Sequence, residues 1–258
     1  MKKAETKELA TIPSYGEDSG SGFEGTTSRD LSIPFLRILE SKSPEVEGGE
    51  LEGAKAGMLL NTVTRELLTK AVVIPVRKDI SWIEWIPRAA GGGFVAVHAP
   101  DSPVVVAATA SGQRTGKFLL ENGNELVETH MIYCLLLDEA GAEVNGFAVL
   151  SATSMRIKPC RDWFTSMYQL KGRPPLFANR AVISTKFQKY AKGNFYNLQV
   201  APLRATWAAS LIDPATESSL LVAAKDFREM IASGKAKADF QAGSEDHEPT
   251  EAKDGELY

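Results

Sequence analysis

The chain has 258 residues, 33 acids against 29 Lys and Arg, and a net charge of −4, totals that taken alone argue against nucleic acid as a partner. A hydrophobic share of 43% is that of an ordinary globular chain. Two cysteines and three histidines without CxxC, HxxxH or HExxH spacing argue against a disulfide framework and a zinc site, and no apolar run reaches the ~20 residues of a membrane span.

Residues 1–29 are rich in Gly, Ser, Thr and Glu and are expected to be disordered, as in Gly16-Glu17-Asp18-Ser19-Gly20-Ser21-Gly22. Met1 to Thr6 has no apolar stretch of the signal-peptide kind, so the expected compartment is the cytoplasm. Order is expected from Leu31. The apolar run Ile33 to Leu39 contains Pro34, which keeps it from being a central strand. Met58 to Thr64, Lys70 to Val76, Asp79 to Pro87 and Phe94 to His98 read as strands, with Gly91-Gly92-Gly93 as a turn. In the third of these both alternating faces are partly apolar. Val104-Val105-Val106 also permits a strand, and Gln113 to Lys117 is loop-like. Cys134, inside the apolar run Met131 to Leu137, reads as a buried thiol.

Glu128 to Leu137 and Val144 to Thr153 form the clearest hairpin. Pro159 to Leu170 predicts a short amphipathic helix. Arg180 to Tyr190 and Phe195 to Val200 predict a second hairpin, and Thr216 to Ala232 a helix stopped by Gly234. The expected class is β-rich α+β. Residues 30–235 are expected to form one domain, and residues 236–258 a disordered acidic tail.

The charge is segregated. Residues 151–210 hold ten cations, one acid (Asp162) and nine aromatics, whereas residues 239–258 hold seven acids and one Lys. Clustered cations with interleaved rings suit a single strand of nucleic acid: ammonium and guanidinium groups neutralise phosphates, and rings stack on bases. The candidate phosphate contacts are Arg156, Lys158, Arg161, Lys171, Arg173, Arg180, Lys186, Lys189 and Lys192. The candidate stacking rings are Trp163, Tyr168, Phe177, Tyr190 and Tyr196. For any single ring the alternative is a place in the core. For the segment as a whole the clustered charge favours an anionic partner. Trp82 and Trp85 read as core.

No catalytic signature stands. Gly112 to Lys117 is one residue short of a phosphate loop, and Phe118 stands where Ser or Thr is required. No cofactor or metal is expected. Two other classes remain as alternatives: a self-associating virion or assembly protein, and a metal-dependent nuclease using carboxylates such as Asp79 and Glu84.

Ile33-Pro34-Phe35-Leu36-Arg37-Ile38-Leu39, Ser43-Pro44, Ala54-Lys55-Ala56-Gly57, Asn61-Thr62-Val63-Thr64 and Glu84-Trp85-Ile86-Pro87-Arg88 with Gly91-Gly92-Gly93-Phe94-Val95 resemble a group of tailed-phage early proteins, over residues 30–98. The acidic tail closing on Leu257-Tyr258 resembles that of phage replication single-stranded DNA-binding proteins. That resemblance implies an OB-like barrel with added hairpins and a C-terminal helix. It implies strand protection and annealing during replication and recombination, with no catalysis. It also implies a tail that gates the groove and contacts polymerase or helicase-primase through Glu251, Asp254, Glu256, Leu257 and Tyr258. A homodimer is left open.

Overall fold

Pro34 breaks the first apolar run into two short strands. The computed structural model describes residues 21–22, 32–110, 116–190, 193–234 and 237–238, without the side chains of Arg88, Tyr190 and Lys237. β1 (Ser32–Ile33) stops at Pro34, which has no N–H to donate, and β2 (Leu36–Ile38) follows. Between them the chain runs along another strand's edge: Val149 N donates to Pro34 O at 2.8 Å, and Phe35 bridges Val149 in the parallel sense. α1 (Pro44–Glu47) is a single turn that buries Glu45, whose carboxylate accepts from Arg37 and, at 3.0 Å, from Arg65. β3 (Leu59–Asn61) is shorter than the expected strand. The Asn61 side chain accepts from the Val63 and Thr64 amides at 3.1 Å and turns the chain into β4 (Leu67–Leu68).

β5 (Lys70–Ile86) joins two expected strands into one of 17 residues. A register shift between Pro75 and Arg77 absorbs the junction. Three glycines at φ 108°, 69° and 133° then turn the chain into β6 (Gly93–His98), a path closed to ordinary L-residues. Val104-Val105-Val106 belongs to α2 (Pro103–Ala110), not to a strand: Pro103 opens it and Ala107, Ala108 and Ala110 favour it. β7 (Lys117–Leu119), β8 (Glu125–Leu137) and β9 (Val144–Thr153) follow. The Asp138 carboxylate accepts the Ala142 and Glu143 amides at 2.6 and 2.9 Å and fixes the β8–β9 turn. α3 (Ile157–Tyr168), β10 (Ala181–Tyr190), β11 (Gly193–Pro202), α4 (Ser218–Ala232) and β12 (Lys237–Ala238) complete the order.

Seven strands make one antiparallel sheet in the order β11-β10-β5-β8-β7, with β6 also on β5 and β9 also on β8. The chain is therefore β-rich α+β. The sheet is open rather than closed into the expected barrel, since among the described residues β11 and β9 pair with no further named strand.

Both faces of the sheet are buried. Ile132 and Cys134 of β8 point to one core with Cys160, Trp163 and Met167 of α3 and Leu36, Ile38 and Leu59 of the β2-β3-β4 sheet. Met131, Leu135 and Leu137 point to the other core, with Leu220, Ala224, Phe227 and Ile231 of α4. Residues 33–39 supply both cores, because Ile33 and Phe35 lie on the α4 side and Leu36 and Ile38 on the α3 side. Burial pushes the Cys134 thiol up and that of Cys160 up to about 12, so both stay protonated at neutral pH. β1 pairs in parallel with β12, and Ala238 packs against the α4-side core. Among the described residues no helix is long and apolar enough to cross a membrane.

Candidate nucleic-acid interface

The β10–β11 hairpin outruns the sheet that carries it. β10 pairs with β5 only from Ala181 to Ser184, whereas its pairing with β11 runs out to Tyr190 and Gly193. From Thr185 onward the hairpin is a two-stranded ribbon. Such a ribbon is marginal by itself. This one is anchored at its base: Thr185 Oγ1 donates to Gly57 O at 2.5 Å, and Tyr196 N donates to Glu40 Oε2 at 3.1 Å. Gly57, at φ 90°, lies so close to Tyr196 that a Cβ there would come within 2.4 Å of the ring. Ser43 Oγ accepts from Glu40 N, and Glu40 Oε1 in turn accepts from Arg156 at 2.5 Å.

Alternation sorts the ribbon's side chains. Ile183 and Leu198 belong to the α3-side core, so Thr185, Phe187 and Lys189 share that side with Tyr196. Phe187 is 45% exposed, and its ring lies 5.3 Å from that of Tyr196 at 58°. Lys186 and Gln188 point the other way, where Asn197 donates to Gln188 at 2.9 Å.

α3 adds a second cationic and aromatic row on this side of the sheet. Ile157, Cys160, Trp163 and Met167 face inward, while Lys158, Arg161 and Tyr168 are exposed. Lys158 pairs with Asp162 at 2.6 Å. Tyr168 is 66% exposed with the Arg173 guanidinium 4.8 Å over its ring, and Lys171 is exposed in the turn between them. Lys78 of β5 reaches the same row, 5.5 Å from the Phe164 ring. His130 is beside it. Burial lowers its pKa, Glu128 at 2.9 Å opposes that shift, and Lys78 and Arg161 add to it, so the ring is mainly neutral at pH 7.

The structure thus brings Lys158, Arg161, Tyr168, Lys171 and Arg173 to the same side as Phe187, Lys189 and Tyr196. It removes others from the expected set. Trp163 is 2% exposed and stacks on Phe164 at 5.1 Å inside the core, out of reach of a base. Arg180 is 4% exposed. It pairs with Glu217 at 2.5 and 3.1 Å and donates to the carbonyls of Gly141 and Leu211 at 3.0 and 3.1 Å, so it is a structural cation. Phe177 packs half-buried against the α4-side core. Arg156 is half-buried on Glu40. Lys186 is exposed on the opposite ribbon face. Lys192 and the tail residues Glu251, Asp254, Glu256, Leu257 and Tyr258 lie outside the described residues, as does the side chain of Tyr190.

Sequence reasoning missed Phe187 as a stacking ring and Lys78 and Lys55 as neighbouring cations. Lys78 is one residue before the alternating run of β5, and only its pairing with Ile132 shows that it faces α3. Asp79 and Glu84 lie on opposite faces of β5, opposite Met131 and Leu126. Glu84 is held as a carboxylate first by Asn124 at 2.6 Å, against burial, then by Asn122 at 3.0 Å and His98 at 2.8 Å.

A family model described as Pam3 phage gp34-like protein matches residues 2–237. The chain belongs to this family. The family match covers the sheet and the ribbon and ends inside β12, so residues 238–258 lie beyond it. The phage in the family's description agrees with the phage origin expected from the sequence. No curated protein and no solved structure matches the chain.

Proposed function

We propose that the chain holds single-stranded DNA, without catalysis, along the side of the sheet formed by α3 and the β10–β11 ribbon. It protects and organises strands during phage DNA replication and recombination. One observation carries this reading: two exposed rings, Tyr168 and Phe187, stand beside exposed cations on the same side of one sheet. Rings in that setting offer π-faces to bases while the cations follow the backbone, which gives sequence-tolerant binding. An OB barrel is not required, because the projecting ribbon supplies the platform. The acidic tail competes for this face when no strand is bound and presents its terminal aromatic to replication partners. Residue 238 lies on the α4 side, and 20 residues at up to ~3.3 Å each are long enough to pass round the sheet.

The test is fluorescence anisotropy of a labelled 30-mer at several salt concentrations, beside the duplex of the same sequence. With about five phosphates neutralised, log K is expected to fall with log salt at a slope near −3.5. Removing residues 239–258 is expected to tighten binding. A flat salt response ends the proposal. So does absence of binding at low salt both with and without the tail, a result that favours self-assembly.

A further inference from the structure

An open cleft of about 360 Å³ lies beside the ribbon's base, lined by Gly53, Lys55, Ala56, Gly57, Met58, Thr69 and Tyr196. That volume is within the roughly 300–1,000 Å³ of small-ligand sites. Gly57 forms one wall, where its lack of a side chain lets the Tyr196 ring stand against bare backbone. Tyr196 therefore belongs to that same wall, which is held by the bonds of Thr185 to Gly57 and of Tyr196 to Glu40 already described. The cleft therefore belongs to a braced part of the fold.

Its place on the sheet indicates the occupant. Tyr196 also packs against Phe187, so an exposed ring of the ribbon leads directly to the cleft wall. Lys55 is exposed at the cleft and supplies a cation. The remaining lining among the described residues is one methionine, one alanine, one threonine and glycine backbone, and the nearby Glu40 carboxylate is taken up by Arg156 and Tyr196 N. A flat, largely apolar ring that carries a phosphate beside it fits this combination.

We propose that the cleft takes one nucleobase of the bound strand, with its ring against Tyr196 and the adjoining phosphate on Lys55. This rests on the single-strand reading and adds a fixed point to it. The other bases stack on exposed rings, whereas this one lies in the open cleft and sets where the strand enters the ribbon.

The test uses the full-length chain and a 30-mer oligothymidylate, with Ala56→Trp to fill the cleft and Lys55→Ala to remove the cation. Filling the cleft is expected to weaken binding about tenfold with no change in salt slope, the scale of one lost stacking contact. Removing Lys55 is expected to make the slope shallower by about 0.7, the share of one phosphate. On the unaltered protein, a strand carrying 4-thiothymidine is expected to cross-link to residues 53–58 or Tyr196. That measurement stands even if Ala56→Trp fails to fold. Wild-type affinity in folded Ala56→Trp, or cross-links confined to α3 and the ribbon tip, overturns the cleft site while leaving strand binding intact. Absence of any binding by the unaltered chain overturns the parent reading and this one with it.

Discussion

Replacing Arg180 with alanine is expected to lower the stability of the fold by roughly 3–5 kcal/mol, the range for breaking a buried ion pair from one side. The lower end applies, because the Glu217 side chain keeps 29% of its surface in water and can be partly rehydrated. The carbonyls of Gly141 and Leu211, 3.0 and 3.1 Å from the guanidinium, are left without this donor. Urea unfolding reads the loss directly. Lysine is expected to restore only part of it, since an ammonium cannot reproduce the forked pairing with Glu217.

The loss carries a pH signature. Burial raises the Glu217 pKa, but the hydrogen bonds from Arg180 and the Asp213 amide, with the charge of Arg180, outweigh it, and the carboxyl sits below the usual 4.5. A depressed carboxylate stabilises the fold above its unfolded pKa and loses that contribution as pH falls through the folded value. The stability gap between wild type and Arg180→Ala is therefore expected to be constant near neutrality and to narrow below about pH 4.5. Binding of single strands by the folded variant is expected to keep its salt slope. A shallower slope would return Arg180 to the list of phosphate contacts.

The second large effect concerns binding. Neutralising Arg161, Lys171, Arg173 and Lys189 together is expected to reduce the salt slope by about 3 and affinity by several hundred-fold at 0.1 M salt, from ~0.7 counterion per contact. These side chains are exposed, so stability is expected to change by no more than about 0.5 kcal/mol per substitution. Lys225 and Arg228 are exposed on α4, across the sheet, and their neutralisation is the control. If both sets weaken binding equally, the interaction is with net charge and not with this face.

Much of the local structure was legible. The β8–β9 hairpin, the β10–β11 hairpin and α4 lie within a few residues of their expected bounds, because alternation and helical spacing report burial on a regular element. β5 was read as two strands, Lys70 to Val76 and Asp79 to Pro87, because Arg77 and Lys78 interrupt the apolar pattern, and the first of them contains Pro75. Pro75 is accommodated where β10 has already stopped pairing, next to the register shift. α2 was not legible: three consecutive valines carry the same local signal in a strand and in a helix opened by proline.

The candidate site was legible as a segment and not residue by residue. Charge density located α3 and the ribbon. It could not separate Arg161, which faces water, from Arg180, which meets Glu217 across 37 positions of sequence. Nor could aromatic content separate Tyr168 from Trp163, five residues earlier on the same helix, since the helix phase against the sheet decides which ring is buried.

The parallel pairing of Ser32 and Ile33 with Lys237 and Ala238 gathers both ends of the folded body at one point on the α4 side. Cargo attached at either end therefore stands across the thickness of a sheet and its helices from the α3 row. That arrangement makes the molecule two-sided. On the proposed reading, one surface stays on a strand while whatever the ends hold is carried on the reverse, and a donor–acceptor dye pair placed at residues 32 and 237 would report their separation without touching the opposite surface.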